Sequence, residues 1–277
     1  MAVKALDNPP RIGVVVPTWN SARTLDWTLL SLTSQRGCQV EVIVADSGST
    51  DGTLAICRRW GVNSIYVAPG NMYRAVNAGL QVLEEPWLTY LNSDDIVYPD
   101  SYGRLAEHGA ACGADIVYGC ADYIDAAGRF RFAFKPAAAS SLPALLRRGV
   151  MGFAQPAAIF RRELFAELRG FAEQFTNIAD FEFFQRAGQL GRTFTELDSP
   201  SVAAFRLHPG QLSQRSAEVV RSEMRLLLGG SAPRGSGVVF AMMRWRAANL
   251  GNYLVRLLRT GSLRMQRPVQ SDVPSNG

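Results

Sequence analysis

Two adjacent carboxylates follow an apolar run near the middle of the first half of the chain. Trp87-Leu88-Thr89-Tyr90 has the composition of a buried strand, and Leu91-Asn92-Ser93-Asp94-Asp95 comes directly after it. Because side chains alternate along an extended chain, Asp94 and Asp95 point in different directions. Two charges this close repel each other unless a cation or a donor compensates them. A hard divalent cation would do so, and a solvated acidic turn explains the pentapeptide equally well.

Strands and helices alternate through the first 120 residues. The strand segments are apolar and rich in β-branched residues, and the helix segments repeat apolar residues at three- and four-residue spacing. The predicted strands cover 12–16, 40–45, 65–67, 87–91 and 115–119, and the predicted helices cover 22–32, 53–60 and 71–83. Asn20 or Ser21 is the expected cap of the first helix. This order predicts an α/β fold with a doubly wound, mostly parallel, Rossmann-like sheet.

Polar clusters follow three of these strands at the point where each strand ends. They are Pro17–Asn20, Asp46–Asp51 and Asn92–Asp95. Ligands of open α/β sheets bind outside the carboxyl ends of the strands. We therefore expect the three clusters to meet in one crevice, which three unrelated surface turns would not do.

The second half of the chain is less regular. A hairpin is predicted across 123–134 with its turn at 126–128, a strand at 155–160, helices at 161–168 and from about 177 to 188, and a strand at 202–207. We predict one domain over 1–230, divided into a regular α/β half at 11–120 and a mixed half at 121–213. A C-terminal helical extension over 231–277 follows it.

The positive charge of the chain is concentrated in this extension. Residues 224–277 carry a net charge of +7 and residues 1–223 a net charge of −2. An apolar stripe and a polar side alternate over 238–259, which predicts a basic amphipathic helix. The stripe is Val239, Met243, Ala247, Leu250, Leu254 and Leu257, and the polar side is Arg244, Asn249, Asn252, Arg256 and Arg259. Such a helix either packs on the domain or docks on an anionic membrane. We expect a flexible linker before it at 231–237 and a disordered tail after it at 266–277.

Composition narrows the class of protein. No apolar run approaches the ~20 residues that span a bilayer, and residues 1–11 contain no apolar core of a signal peptide. We therefore expect a cytoplasmic protein. If the basic helix binds lipid, we expect the protein to be peripheral on the inner face of the cytoplasmic membrane. The acidic main part without a pattern of stacking aromatics argues against nucleic acid as a partner. The cysteines at 38, 57, 112 and 120 form no Cys-x-x-Cys pair, so we expect buried, reduced thiols.

Seven short motifs over about 11–213 together resemble the family 2 glycosyltransferases, inverting enzymes with the GT-A fold that use nucleotide sugars. The motifs are Val16–Asn20, Asp46–Thr53, Ala75–Gly79, Leu91–Asp95, Gln155-Pro156 with Phe160–Arg162, Ala179–Glu182, and Arg206–Gly210. The resemblance implies transfer of a sugar from a nucleotide diphosphate donor, with uridine the expected base, to a hydroxyl of a glycan or lipid-linked acceptor. It implies that the half at 11–120 binds the nucleotide sugar and that the half at 121–213 holds the acceptor and the catalytic base. Synthesis of a cell-surface polysaccharide is the expected setting.

Three positions depart from the family pattern. Asn92 stands at the first position of the family's Asp-x-Asp metal motif, and Ser47 stands where many members carry a second Asp. Arg74 stands before Ala75 where a close subgroup has Asp, which leaves the preferred sugar open. The first two departures place more weight on Asp94 and Asp46.

On the donor side, the resemblance makes Asp94 a ligand of Mn²⁺ or Mg²⁺, with His208 as a second metal ligand or a partner of a phosphate. Asp46 is expected to accept a hydrogen bond from a base N–H or to cap the next helix, and Pro17 and Thr18 to line the base pocket. Further nucleotide-sugar contacts are implied for Asn20, Ser47, Arg74, Asn77, Asn92, Ser93, Asp95 and Arg206. For Asn20 and Arg74, a helix cap and a solvated side chain are equally good explanations.

On the acceptor side, Asp180 is the candidate general base. It stands at a predicted helix start, where the helix dipole favours an ionised carboxylate, and an inverting transfer needs one base to take the acceptor's proton. Gln155 and Glu182 are the expected acceptor contacts, although a buried structural amide and a solvated carboxylate explain them too.

Other functions fit less well. A nucleotide-sugar nucleotidyltransferase needs a Gly-rich basic loop after the first strand, where this chain has Pro17-Thr18-Trp19-Asn20. A glycosidase needs two carboxylates flanking a sugar, which leaves Asp46 unexplained. A non-catalytic, membrane-binding relative remains an alternative, although Asp94 and Asp180 are both present.

Overall fold

The computed structural model describes residues 8–208, 217–229 and 236–260. Its strands are β1 (Arg11–Thr18), β2 (Gln39–Asp46), β3 (Asn63–Tyr66), β4 (Trp87–Tyr90), β5 (Ile96–Val97), β6 (Ile116–Gly119), β7 (Ala121–Asp125), β8 (Phe130–Phe134), β9 (Ala158–Arg161), β10 (Phe194–Leu197) and β11 (Ala203–Leu207). Its α-helices are α1 (Leu25–Thr33), α2 (Thr53–Trp60), α3 (Met72–Gln81), α4 (Ser101–Cys112), α5 (Leu142–Leu146), α6 (Arg162–Glu167), α7 (Ala179–Gln189), α8 (Ala217–Leu228), α9 (Ser236–Ala248) and α10 (Leu250–Thr260).

A seven-stranded sheet forms the centre of the molecule, in the order β10-β6-β9-β4-β1-β2-β3. Its strands are parallel except β9, which runs antiparallel to both of its neighbours. The doubly wound, mostly parallel sheet of the sequence analysis is therefore confirmed. Helices cover both faces: Val15 packs with α3 and α7 on one face, and Val14 packs with α1 and α4 on the other.

A second, four-stranded sheet has the order β5-β11-β7-β8. The hairpin β7–β8 forms where it was predicted, and β11 pairs with β7 in parallel and with β5 antiparallel. Because β5 follows the carboxylate pair and β11 ends at Leu207, this sheet brings the segment around Arg206 back to the end of β4.

The start of α1 differs from the prediction. The helix begins at Leu25, with Thr24 at the cap position and no side-chain capping bond. Asn20 has a φ of 52°, outside the helical region. The expectation that Asn20 or Ser21 caps this helix is therefore wrong.

Several elements had no signal in the sequence analysis, among them α4, β10, α5 and α8. In α4 the reason is packing. Gly103 and Gly109 lower its intrinsic helix propensity, yet a Cβ at Gly109 would lie 2.4 Å from Val117 Cγ2 and 2.5 Å from a Trp87 ring carbon. Close approach of the helix to the sheet requires glycine there.

The C-terminal extension also departs from its prediction. The single helix expected over 238–259 is two helices, α9 and α10, separated at Asn249. The expected linker at 231–237 ends in helix, since α9 begins at Ser236, and its other residues lie outside the described part of the chain, as does the tail at 266–277. Among the described residues, no helix is long and apolar enough to cross a bilayer.

All four cysteines are free thiols. Cys57 is buried, and burial raises the pKa of its thiol. Cys38 and Cys120 are partly exposed and Cys112 is exposed, so the expectation that every thiol is buried holds only at Cys57.

Candidate active site

The three polar clusters come together at the carboxyl edge of the main sheet. Ser93, after β4, donates from Oγ to Ser21 Oγ at 2.8 Å, and Thr18, at the end of β1, donates from Oγ1 to Asp46 Oδ1 at 2.8 Å. Pro17 lies within β1, and Ser47 donates its backbone N–H to the Thr18 carbonyl at 2.9 Å. The ends of β1, β2 and β4 therefore form one edge of a single site.

Asp46 organises the loop that follows β2. Its side chain is buried, and besides Thr18 it accepts hydrogen bonds from the backbone N–H groups of Gly48 and Ser49 at 3.0 and 2.8 Å and from Ser49 Oγ at 2.5 Å. Four donors thus surround the carboxylate, which fixes the loop. Gly48 takes a φ of 83° in the turn, a conformation that glycine adopts without strain.

Asn20 and Asp51 clamp the same loop from its two ends. Asn20 accepts from Thr50 N at 2.9 Å through Oδ1 and donates its own N–H to Ser49 Oγ at 2.8 Å. Asp51 accepts through Oδ1 from the backbone N–H of Thr53, the first residue of α2, at 2.9 Å. Asn20 therefore joins the first cluster to the second.

Asp94 and His208 are brought together from positions 114 residues apart. His208 Nε2 lies 2.7 Å from Asp94 Oδ2, and both side chains are partly exposed. In the described residues no group of three or more His, Cys, Asp and Glu side chains is gathered as a metal cage. A carboxylate and an imidazole suit Mn²⁺ or Mg²⁺ all the same, because these ions commonly take their remaining ligands from substrate phosphates and water.

Asp95 has a different environment from its neighbour. It is fully buried, accepts from Arg206 N at 2.8 Å and from Asn92 Nδ2 at 3.2 Å, and thereby ties the loop after β4 to β11. Burial first, and then the charge of Asp94, raise the pKa of Asp95 well above its usual range. Arg206 also donates from Nε to the Asp94 carbonyl at 2.7 Å. These contacts hold Asp94 in position beside His208.

Asp180 lies in the first turn of α7, where the helix dipole favours a carboxylate. Its Oδ1 accepts from Tyr73 Oη at 2.9 Å and from Phe181 N at 2.8 Å. Burial raises the pKa of Asp180, and the hydrogen bonds from Phe181 and Tyr73 partly offset that rise. Burial also raises the pKa of Tyr73 well above its usual range, so Tyr73 is the donor at neutral pH.

The aromatic residues next to Asp180 connect it to the end of β4. The rings of Tyr73 and Tyr90 lie edge to face with centroids 6.2 Å apart, and Tyr90 is the last residue of β4, four positions before Asp94. Gln155 Nε2 donates to the Tyr90 carbonyl at 2.8 Å, and Gln155 Oε1 is buried. Asp180, Gln155 and Asp94 are thus all arranged around the end of one strand.

Asn77 and Arg74, expected at the donor, contact the loop that precedes α7. Buried Asn77 donates from Nδ2 to the Phe171 carbonyl and accepts from Phe171 N, both at 2.9 Å. Arg74 Nε lies 3.4 Å from Glu173 Oε2 on the surface. Asn77 therefore has a packing role in this structure, and Arg74 remains accessible.

Glu182 is paired along its own helix. Both of its carboxylate oxygens accept from Arg186 at 2.8 Å, and Arg186 in turn donates to the Gly170 carbonyl at 2.9 Å. The pair braces α7 against the turn at Gly170, so an acceptor contact by Glu182 would compete with Arg186.

Sequence reasoning missed four residues of the site. Tyr73 holds Asp180, and Ser49 and Ser21 connect the polar clusters. Tyr66, at the end of β3, has 73% of its surface exposed at the same edge as Asp46, with which it pairs in register. A single tyrosine in a helix or strand has no sequence pattern that identifies it as a site residue. The one available signal is Asn71, whose side chain caps α3 and so indicates that Tyr73 lies in the first turn of that helix.

Comparison with known proteins points to one family. The family model described as "Glycosyl transferase family 2" matches residues 13–169, more than half of the chain. The succinoglycan biosynthesis protein ExoO of Rhizobium meliloti is 32% identical over 57% of this chain, which spans about half (46%) of ExoO. A PGL/p-HBAD biosynthesis glycosyltransferase of Mycobacterium bovis is 29% identical over 63% of this chain and 68% of its own length.

Solved structures show the same fold at low sequence identity. TarS residues 1–349 of S. aureus, in complex with UDP-GlcNAc, superpose with a TM-score of 0.63 at 18% identity, over 92% of this chain and 76% of that one. The mannosyltransferase PcManGT of Pyrobaculum calidifontis, in complex with GDP-Man and Mn²⁺, gives 0.59 at 17% identity, over 92% and 74%. The fold is the GT-A fold of these glycosyltransferases, and the chain belongs to glycosyl transferase family 2.

Proposed function

We propose that this glycosyltransferase moves a sugar from a nucleotide diphosphate donor, a UDP-sugar, to a hydroxyl of a glycan or lipid-linked acceptor, with inversion at the anomeric carbon. The observation that carries the proposal is the arrangement of Asp94 with His208 and of Asp180 with Tyr73 around the end of β4. A relative named for succinoglycan biosynthesis, and a structural neighbour in complex with UDP-GlcNAc, support synthesis of a surface polysaccharide from such a donor.

In this mechanism Asp180 accepts the proton of the acceptor hydroxyl while that oxygen attacks the anomeric carbon. The bond from the anomeric carbon to the donor phosphate breaks, and the nucleotide diphosphate leaves with the bonding electrons. A raised pKa makes Asp180 a stronger base than an ordinary carboxylate, which favours the proton transfer. One base suffices because attack from the face opposite the leaving group needs no covalent intermediate.

Asp94 and His208 are the residues that would hold Mn²⁺ or Mg²⁺, and such an ion supplies positive charge beside the diphosphate of the donor. Arg206 and Asp95 act on this pair indirectly, since they fix the backbone that carries Asp94 and the strand that precedes His208. Asn92 and Ser93 shape the same turn through their bonds to Asp95 and Ser21.

We assign the nucleotide base to the loop around Asp46, with Pro17 and Thr18 at its wall. A base N–H reaching Asp46 would replace one of the four present donors, and the Ser49 hydroxyl is the easiest to displace because it can rotate. Exposed Tyr66 offers an aromatic face at the same edge. A carboxylate discriminates among bases because a base without the matching N–H leaves it underpaired.

We expect the enzyme to work in the cytoplasm, on the inner face of the cytoplasmic membrane, because nucleotide sugars and lipid-linked acceptors meet there. A panel of UDP-, GDP- and dTDP-sugars, tested with and without Mn²⁺ for thermal stabilisation, examines the proposal directly. One UDP-sugar should raise Tm in the presence of the metal. Stabilisation by a GDP- or dTDP-sugar alone would correct the base, and stabilisation by none would remove the proposed donor class.

A further inference from the structure

The helix α10 packs on β8 of the small sheet, whereas α9 packs on α5, where Ala241 and Met242 join an apolar cluster with Leu145. Asn249, between α9 and α10, accepts from Lys135 N at 3.0 Å and donates to the Lys135 carbonyl at 3.0 Å. Trp245 Nε1 donates to the same carbonyl at 2.9 Å, and the Arg256 guanidinium lies 4.6 Å from the centre of the Phe132 ring. Asn249 and Arg256 are accordingly buried, which is unusual for residues of their types.

Most of the other large apolar side chains of α9 and α10 are exposed. Among them, those that we call the apolar face are Val239, Phe240, Met243, Leu250, Leu254, Leu257 and Leu258. Leu258 is 77% exposed and Leu250 65% exposed, whereas Arg256 is 7% exposed. An amphipathic helix on a soluble protein turns its apolar stripe inward, so the arrangement of α10, with Arg256 buried and Leu254 and Leu258 exposed, is inverted. A large exposed apolar patch marks an interaction surface.

We propose that the apolar face of α9 and α10 docks on an anionic lipid bilayer. This deepens the proposed function, on which the lipid-linked nature of the acceptor rests. The charges fit such a partner, because no acidic residue occurs between Glu223 and Asp272 and the side chains of Arg244, Arg246 and Arg259 are exposed on these helices. Apolar side chains entering the interface beside arginines at headgroup level are the arrangement of an interfacial helix.

A second copy of the chain fits this face less well. Residues 224–277 carry +7, so two copies placed face to face would bring like charges together. Residues 261–277, outside the described part, offer few apolar side chains, namely Leu263, Met265, Val269 and Val273. A bilayer satisfies both the apolar stripe and the positive charge.

Docking in this way would orient the active site. The helix α10 packs on β8, which pairs with β7, and β7 pairs with β11, the strand that leads to His208. Neighbouring strands lie about 4.8 Å apart, so roughly 10 Å separates β8 from β11. Asp94 and His208 thus lie about two strand spacings from the strand on which α10 packs.

Flotation with vesicles tests the proposal on the full chain. The wild-type protein should float with phosphatidylglycerol–phosphatidylcholine vesicles and float far less with pure phosphatidylcholine. The double variant Leu254→Glu with Leu258→Glu should bind at least about tenfold more weakly, because two side chains leave the lipid. Leu190→Glu is the matched control, since Leu190 is 56% exposed at the end of α7, and it should bind like wild type.

Two results would overturn the inference. One is equal flotation of the double variant and the wild type. The other is absence of wild-type flotation together with a concentration-dependent dimer that the double variant abolishes in sedimentation, which would make a second copy the occupant. Both altered residues are exposed, so the variant should fold, and its unfolding temperature provides the check.

The membrane-docking proposal and the proposed function can be refuted independently of each other. Donor-dependent thermal stabilisation is measured without vesicles, and the double variant should retain it in full. Vesicle binding without stabilisation by any nucleotide sugar would refute the donor assignment and leave the docking surface intact. Stabilisation by a donor without vesicle binding would do the reverse.

Discussion

Tyr73 Oη donates a hydrogen bond to Asp180 Oδ1 at 2.9 Å and so connects the start of α3 to the start of α7. Asn71 caps α3 by accepting from Tyr73 N at 2.8 Å, and its Nδ2 donates to the Glu173 carbonyl in the loop before α7. The two helix starts are therefore fixed to each other as well as to the sheet. The geometry of the candidate base depends on this junction.

Asp180→Asn should abolish most transfer and leave donor binding intact. The amide has nearly the same shape but cannot accept the acceptor's proton, so kcat should fall about a hundredfold to ten-thousandfold. Turnover with the donor that stabilises the wild type measures the loss, and thermal stabilisation by that donor should not change. Transfer at a near wild-type rate would show that another group is the base.

Tyr73→Phe should move the acid limb of the pH–rate profile to higher pH. The hydrogen bond from Tyr73 lowers the pKa of Asp180, so its loss lets burial raise that pKa further. Since the base must be deprotonated, kcat/KM then falls at a higher pH than in the wild type, and kcat drops about tenfold, the equivalent of one hydrogen bond to a charged group. Tyr118→Phe is the control, because buried Tyr118 donates to the Ala137 carbonyl instead. An unchanged acid limb would leave Tyr73 with a packing role alone.

Asp180 should also make stability depend on pH. Its folded-state pKa is raised, so its stabilising contribution is fully present below the unfolded value of about 3.9 and is lost as pH rises through the folded value. Near neutral pH the charged, buried carboxylate therefore costs stability that an amide does not. Asp180→Asn should have a higher Tm than wild type near pH 7, and the difference should shrink in mild acid. A constant difference across that range would contradict the raised pKa.

The sequence predicted the strands of the central sheet better than it predicted the tertiary contacts around that sheet. Continuous β-branched runs identify β1 and β2, because a strand that is buried on both faces carries apolar side chains at nearly every position. Tyr73 gave no signal, since its partner lies 107 residues away and only tertiary structure joins them. Periodicity located the amphipathic stripe at 239–257 but did not indicate which side faces the protein, because that depends on Lys135 and Phe132 as partners.

Gly109→Ala should destabilise the fold, because α4 approaches the sheet closely at this glycine. The same glycine lowered the helix propensity of α4 and hid the helix from the sequence analysis. Its Cβ would fall within 2.5 Å of both Val117 and Trp87, so the helix must move off the sheet at a cost of about 1–3 kcal/mol. Gly251→Ala is the control, since a Cβ at Gly251 on α10 meets nothing within 4 Å. Chemical denaturation should separate the two variants. Equal midpoints would mean that α4 does not need this close contact.

His208→Ala and Asp94→Asn should each remove the metal-dependent part of donor stabilisation. The two side chains meet at 2.7 Å, and in the proposed site a cation would lose one protein ligand in either variant. Thermal shift with donor should then be the same with and without Mn²⁺, and Tm without ligand should change little because both side chains are partly exposed. The chain's other histidine, His108, provides the control. It lies on α4, with Nε2 3.0 Å from Thr195 Oγ1, and His108→Ala should keep the full Mn²⁺ effect. A Mn²⁺ effect that survives in both site variants would place the ion elsewhere or make the transfer independent of this pair.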